Sequence, residues 1–180
     1  ASLAGRQTMK TRSLLAFALV LVTAGTAWAE YCKSQGNNPV PAAEARKHDK
    51  ALLLSPTEVT AAEDVHLRWG KPGCQRYLYH HEFVLCYDTE RRVPVWAAYQ
   101  LASADIKKLT RRNAFRTDPR LLPEETATCD DYAKRPTQAR DFDRGHTVPN
   151  ADMNRSKVAQ ANTYLLSNMT PQHLRFNEGV

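Results

Sequence analysis

An α+β domain built around an antiparallel sheet is what this sequence predicts, and three stretches predict it. "EFVLCYD" (82–88) and "VPVWAAYQLAS" (93–103) are rich in β-branched and aromatic residues. Only the polar "TERR" parts them, the pattern of an antiparallel strand pair with the first strand central. "NRSKVAQANTY" (154–164) suits a short helix flanking that sheet.

The remaining elements follow along the chain. Residues 1–8, "ASLAGRQT", precede the first methionine, Met9, and are read as upstream sequence. "MKTRSLLAFALVLVTAGTAWA" (9–29) has Lys10 and Arg12, an apolar run from Leu14 to Val22, and the small-residue pattern Ala27-Trp28-Ala29. That is the layout of a secretory signal peptide cleaved before Glu30. Its apolar run is too short to span a bilayer comfortably. A soluble, exported chain with no membrane partner is expected, in the periplasm or the external medium. Residues 30–180 then fit one domain with a modest core. Residues 31–43, "YCKSQGNNPVPAA", read as an irregular arm, and residues 104–140 as polar loop with short helical turns. "YLLSNM" (164–169) reads as a buried strand, His80 and His81 as surface residues flanking a strand, and "FNEGV" as an element only begun.

Charge says little by itself. The chain has 25 basic and 19 acidic residues. Removal of the leader takes away Arg6, Lys10 and Arg12, leaving 22 basic residues and a net charge of +3. Distribution says more, since "DIKKLTRRNAFRTDPR" (105–120) carries six basic residues against two acidic. Cys32, Cys74, Cys86 and Cys129 show no CxxC spacing. In an exported chain they predict two disulfides, of open connectivity, rather than a metal site.

The chemistry concentrates in "DFDRGHTVPN" (141–150). Gly145 and Pro149 restrict a loop around His146, and a neutral imidazole accepts a proton near pH 7. Hydrolysis of a phosphodiester needs such a base, a divalent cation on the phosphate oxygens, and cationic side chains facing them. Arg112 and Arg144 offer forked donors for phosphate. "NMTPQHLRFNEG" (168–179) supplies amide oxygens at Asn168 and Asn177, hard neutral ligands suited to Mg²⁺.

Taken in order, "RRNAFRTDPRL" (111–121), "DRGHTVP" (143–149), "YLLSNMTPQ" (164–172) and "NEG" (177–179) resemble the DNA/RNA non-specific endonucleases of the ββα-metal, or His-Me finger, superfamily. The resemblance runs from about His81 to Val180. It implies a central antiparallel sheet with flanking helices and a ββα-metal finger. It implies that His146 is the general base, that Asn177 is the sole protein ligand of one Mg²⁺ or Mn²⁺, and that Arg112 contacts the phosphate. Arg144 and Asn168 would bind or orient, and Asp143 would hold the loop. The implied substrates are DNA and RNA, cut with little sequence preference to leave 5′-phosphate ends, and homodimers are common among such enzymes. The sequence departs from the family after Asn177, where a helix bearing a tryptophan and a glutamate is expected and Val180 follows after three residues. Glu178 is misplaced to supply that acid. Weak metal binding and low activity are therefore expected of this form, and the competing reading is a relative that binds nucleic acid without cutting it.

Other chemistries fail on residues. "HEFVL" (81–85) opens like a zinc-protease helix but has Leu85 where a second histidine is required. Cys129 with His146 would suit a thiol hydrolase, but export assigns Cys129 to a disulfide. No recognition-helix or zinc-finger pattern provides base readout, and backbone contacts alone carry no sequence information. "NRS" (154–156) and "NMT" (168–170) fit the glycosylation pattern by chance.

Overall fold

The computed structural model describes residues 29–106, 109–132 and 142–177. The upstream residues, nearly all of the signal peptide, Lys107 and Lys108 of the basic tract, and Glu178 lie outside them.

Two helices precede the sheet, and neither was expected. Helix α1 (Ala42–His48) follows the arm, and α2 (Pro56–His66) follows a short 3-10 turn. The signal of α2 was local and legible: Ser55 and Glu58 form a capping box around Pro56, with Glu58 Oε2 accepting from the Ser55 amide at 2.7 Å.

Strands β1 (Arg76–Tyr79), β2 (Val84–Asp88) and β3 (Val93–Ala98) form an antiparallel sheet in that order, with β2 in the middle. The two predicted strands are therefore β2 and β3, and β1 is an addition. Val84, Leu85, Cys86 and Tyr87 are all buried, which is why β2 reads as an unbroken apolar run. Pro94 is tolerated because β3 is an edge.

The second sheet is a ribbon of β4 (Phe142–His146) and β5 (Met169–His173), paired so that His146 faces Met169 and Gly145 faces Thr170. Between them lie a 3-10 turn (Asn150–Met153), helix α3 (Lys157–Asn162) and a second 3-10 turn (Leu166–Asn168). Helix α4 (Leu174–Asn177) closes the ββα unit and packs on both strands.

Three expectations are corrected here. "DRGH" is strand rather than loop. Its glycine suits the ribbon because the Gln172 side chain lies across Gly145, where an added Cβ would come within 1.9 Å of Gln172 Cδ. "YLLSNM" is mostly turn, and the strand begins only at Met169, because Arg116 and the Asn168 amide take up the backbone groups that a sheet would need. His80 is buried, not superficial: it stacks on Phe83 with ring centroids 4.0 Å apart and receives Arg120 Nη2 at 2.9 Å.

The arm and the segment 113–117 hold the two sheets to one body. Cys32 and Val40 donate to the carbonyls of Phe115 and Asn113, while Leu166 donates to that of Arg116. Arg116 is 1% exposed and bonds Asp49, Ala114, Ala161 and Asn162. Both expected disulfides are present, Cys32–Cys129 and Cys74–Cys86. Among the described residues no helix is long and apolar enough to cross a membrane.

Candidate active site

Strand periodicity puts Arg144 and His146 on the same face of β4. The ring of His146 stands edge-on to Tyr164 at 4.9 Å and tilted against Phe115 at 6.0 Å. His146 is half-buried as a residue, but its Nε2 is sealed from solvent, and neither ring nitrogen has a hydrogen-bond partner among the described residues. Burial, and then the charges of Arg111 and Arg144, pull its pKa down to about 3. The imidazole is thus neutral at physiological pH and keeps a lone pair for a proton.

A cleft of about 480 Å³ opens at His146 and is lined by Leu109, Arg111, Pro149, Asn150, Ala151, Asn154 and Asn177. His146 and Asn177 are 31 residues apart in the chain, and the ββα unit brings them to one wall. Asn177 is exposed at the end of α4. Among the described residues no cluster of three histidines, cysteines or carboxylates could hold a metal. Among the described residues the side-chain oxygens that line the cleft are amide oxygens, and no carboxylate lines it.

The two neighbouring arginines divide differently from the sequence expectation. Arg112 is turned to Glu44 of α1, which it grips with both terminal nitrogens at 3.0 and 3.3 Å, and it does not line the cleft. Arg111 does. Its Nε donates to Asn113 Oδ1 at 3.2 Å and its guanidinium carbon lies 5.8 Å from the centre of the Tyr164 ring. The doublet "RR" could have warned of this, since adjacent residues on an extended backbone face opposite ways.

Arg144 lies flat over Phe115, 3.7 Å from the ring centre, and donates to the Ser34 carbonyl at 2.9 Å. Asn168 is fully buried and outside the cleft. Its Oδ1 accepts from the Val148 amide at 2.9 Å, and its Nδ2 donates to the carbonyls of Val148 and Thr163 at 3.1 and 2.9 Å. The Thr147 amide donates to the Asn168 carbonyl. The residue therefore clamps both peptides that follow His146. Its side-chain oxygen is buried and turned to the Val148 amide rather than to the cleft.

Comparisons with known proteins bear on the family and the fold. Residues 67–180 match the DNA/RNA non-specific endonuclease family. The chain is 35% identical over 116 residues to the mitochondrial nuclease EXOG of Danio rerio, covering 62% of this chain and 32% of that protein. It is 31% identical over 115 residues to human mitochondrial endonuclease G, covering 63% and 37%. Against Nuclease C1 of Cunninghamella echinulata var. echinulata the identity is 32% over 111 residues, covering 59% and 42%. The chain thus spans less than half the length of these relatives. A solved chain from the EndoG/EndoGI complex superposes with a TM-score of 0.53 at 24% identity, over 67% of this chain and 47% of that one, a likeness of fold. With the family match covering most of the described residues and the ββα unit seating its histidine and asparagine at one cleft, the chain belongs to the DNA/RNA non-specific endonuclease family.

Proposed function

We propose that residues 30–180 act as one nuclease domain that hydrolyses phosphodiester bonds of DNA and RNA with little sequence preference. The observation that carries this is the cleft shared by His146, Arg111 and Asn177, with an imidazole whose nitrogens have no hydrogen-bond partner among the described residues. An unengaged, neutral imidazole suits a base that waits for water.

In this reading His146 takes a proton from the attacking water. The new P–O bond forms as the bond to the 3′ oxygen breaks, and that oxygen takes a proton from solvent water, leaving a 5′-phosphate and a 3′-hydroxyl. Arg111 faces the phosphate from the other side of the cleft, and Arg144 adds positive charge along β4. Arrival of the phosphate offsets both arginine charges, and these are two of the three causes that depress the His146 pKa. The histidine therefore gains basicity when substrate is seated. Arg112, bound to Glu44, holds the segment so that its neighbour faces inward. Asn168 positions the histidine.

The amide donors fit a hard divalent ion that takes only part of its shell from protein and the rest from water and substrate. Asn177 would hold Mg²⁺ or Mn²⁺, which supplies charge neutralisation at the phosphate oxygens. Export to the periplasm or the medium belongs to the same reading. Two disulfides support it, because such bonds persist in oxidising compartments.

Supercoiled plasmid is the test substrate, with Mg²⁺ or excess EDTA and with His146→Ala. Nicking that needs both metal and His146 is expected. Cleavage that survives EDTA, or survives loss of His146, overturns the mechanism, and binding without nicking leaves the non-catalytic reading in its place. Arg111→Ala should reduce kcat/KM by about 10²-fold or more. Arg112→Ala should cost less, through misplacement of Arg111.

A further inference from the structure

One wall of the cleft is not used by the hydrolysis described above. Asn150 and Asn154 line it beside Leu109, Pro149 and Ala151. Both asparagines come from the 3-10 turn Asn150–Met153 and its cap. That turn is pinned: Met153 is 2% exposed, the Asp152 amide donates to the Pro149 carbonyl at 3.2 Å, and Asp152 Oδ2 accepts from the Tyr99 hydroxyl at 2.8 Å.

The orientation of the Asn150 amide follows from its neighbours. Thr163 Oγ1 donates its only proton to the Gln160 carbonyl at 2.8 Å. At 3.3 Å it can therefore only accept from Asn150, which puts Nδ2 towards Thr163. The Asn150 oxygen is left with no partner among the described residues. A neutral acceptor is well chosen for a cleft that receives a polyanion, because a carboxylate there would repel the phosphate. About 480 Å³ is also room for one nucleotide beside the reacting phosphate.

We propose that Asn150, with Asn154 beside it, hydrogen-bonds the 2′-hydroxyl of the nucleotide adjoining the scissile phosphate, so that RNA is cut faster than DNA of the same sequence. The inference rests on the hydrolytic reading of this cleft. A ribose offers a donor to the waiting oxygen, whereas deoxyribose covers the oxygen and offers nothing. Asn150 is half-buried, and an acceptor that the bound substrate covers without pairing discriminates against that substrate.

The test uses oligonucleotides of one sequence with a single ribo, deoxy, 2′-fluoro or 2′-O-methyl nucleotide at the cut, and a second set that varies the base. The readout is the ribo-to-deoxy ratio of kcat/KM within one preparation, so any unfolded fraction cancels. A ratio of about 3- to 10-fold is expected, with the fluoro and methoxy sugars, which have no donor, behaving as deoxy. Asn150→Ala should collapse the ratio towards one. Thr163→Val leaves Asn150 in place but releases its amide, and should lower the ratio part way. A ratio near one in the wild-type chain, a ratio unchanged in Asn150→Ala, or a preference that follows the base would overturn the proposal. Binding of the same oligonucleotides to the His146→Ala chain, read by fluorescence anisotropy, gives the ratio without turnover. If no substrate is cut, the hydrolytic reading fails while the anisotropy ratio still decides the role of Asn150.

Discussion

In the three-stranded sheet four consecutive residues of β2 are buried, whereas in the ribbon β4 buries only Gly145 and β5 only Met169. The first sheet is held by apolar area, at about 1.5–3 kcal/mol for each large side chain withdrawn from water. A two-stranded ribbon has no such reserve and is marginal by itself. Here it is held by polar pegs: Asn168 on Val148, and Ser167 Oγ on Asp118 at 2.7 Å. Arrangement by pegs leaves the ribbon's faces free for arginine and histidine. The scaffold sheet could not carry those residues without burying charge.

The largest effects should separate the two regions cleanly. His146→Ala is expected to lower cleavage by about 10²- to 10⁴-fold while costing no more than about 2 kcal/mol of stability. Leu85→Ala in β2 should do the reverse, costing about 2–5 kcal/mol and leaving activity per folded molecule near normal. Urea unfolding alongside a plasmid-nicking assay reads both. If His146→Ala unfolds the chain, the ribbon carries more of the fold than this division allows.

The disulfides sharpen the comparison at nearly the same scale. Cys32–Cys129 closes a separation of 97 residues and ties the arm to the body, while Cys74–Cys86 closes 12 beside the scaffold sheet. Loop-closure entropy alone assigns them about 4.7 and about 3 kcal/mol. Paired Cys→Ser variants should therefore rank in that order in denaturant midpoint. Equal losses would mean that the unfolded chain already keeps the arm close.

Legibility in the sequence divides along the same line. Strands β2 and β3 were readable because burial on both faces, or on one, leaves an apolar signature of its own. The ribbon was not readable as strands, since "DRGH" has one large apolar neighbour, Phe142, and β5 contains Pro171. Its motif was readable, and the His146 and Asn177 that it singles out both line the cleft. That Arg111 rather than Arg112 lines the cleft was not readable, because Glu44, 68 residues away from Arg112, holds Arg112 aside. The orientation of Asn150 was not readable because it depends on Thr163 and Gln160, which share no pattern with it. Helix α2 was simply overlooked, with its capping box in plain view.

Asp118 joins the two regions, and its removal should come next in size. Its carboxylate is fully enclosed and accepts from Arg120 Nε and Nη2 at 2.9 and 2.6 Å as well as from Ser167. Burial pushes its pKa up, but the Arg120 charge and these hydrogen bonds overcome that and hold it far below the usual carboxylate range. Asp118→Ala would strand the Arg120 guanidinium beside His80 and is expected to cost about 3–5 kcal/mol. Ser167→Ala, which only removes the peg, should cost about 1 kcal/mol and yet lower activity, because the turn that holds Asn168 loosens. Should Ser167→Ala leave both activity and stability untouched, the peg does not transmit to the ribbon.

Acid tests both regions with one variable, because each contains a neutral histidine with a ring nitrogen sealed from solvent. In the scaffold, burial first and the Arg120 charge second hold His80 well below the ordinary histidine pKa. In the ribbon, His146 is pulled down to about 3. Both rings stay neutral in the folded chain while the unfolded chain takes up protons near pH 6.5, so the unfolded state binds more protons as pH falls. Their stabilisation is complete above about pH 6.5 and is lost progressively below it, at up to about 1.4 kcal/mol per pH unit for each histidine. His48 and His66, also lowered by burial, add to this slope in the same sense. Glu82, which burial raises, opposes it. Asp118 joins only below about pH 4, where its unfolded form begins to protonate. Unfolding midpoints between pH 7 and 4.5 should therefore fall steeply for the wild-type chain and less steeply for His80→Gln and for His146→Ala. A His80→Gln slope equal to wild type would show that the scaffold histidine is reached by protons before the chain unfolds, and that the enclosure holding the two sheets together is looser than its hydrogen bonds imply.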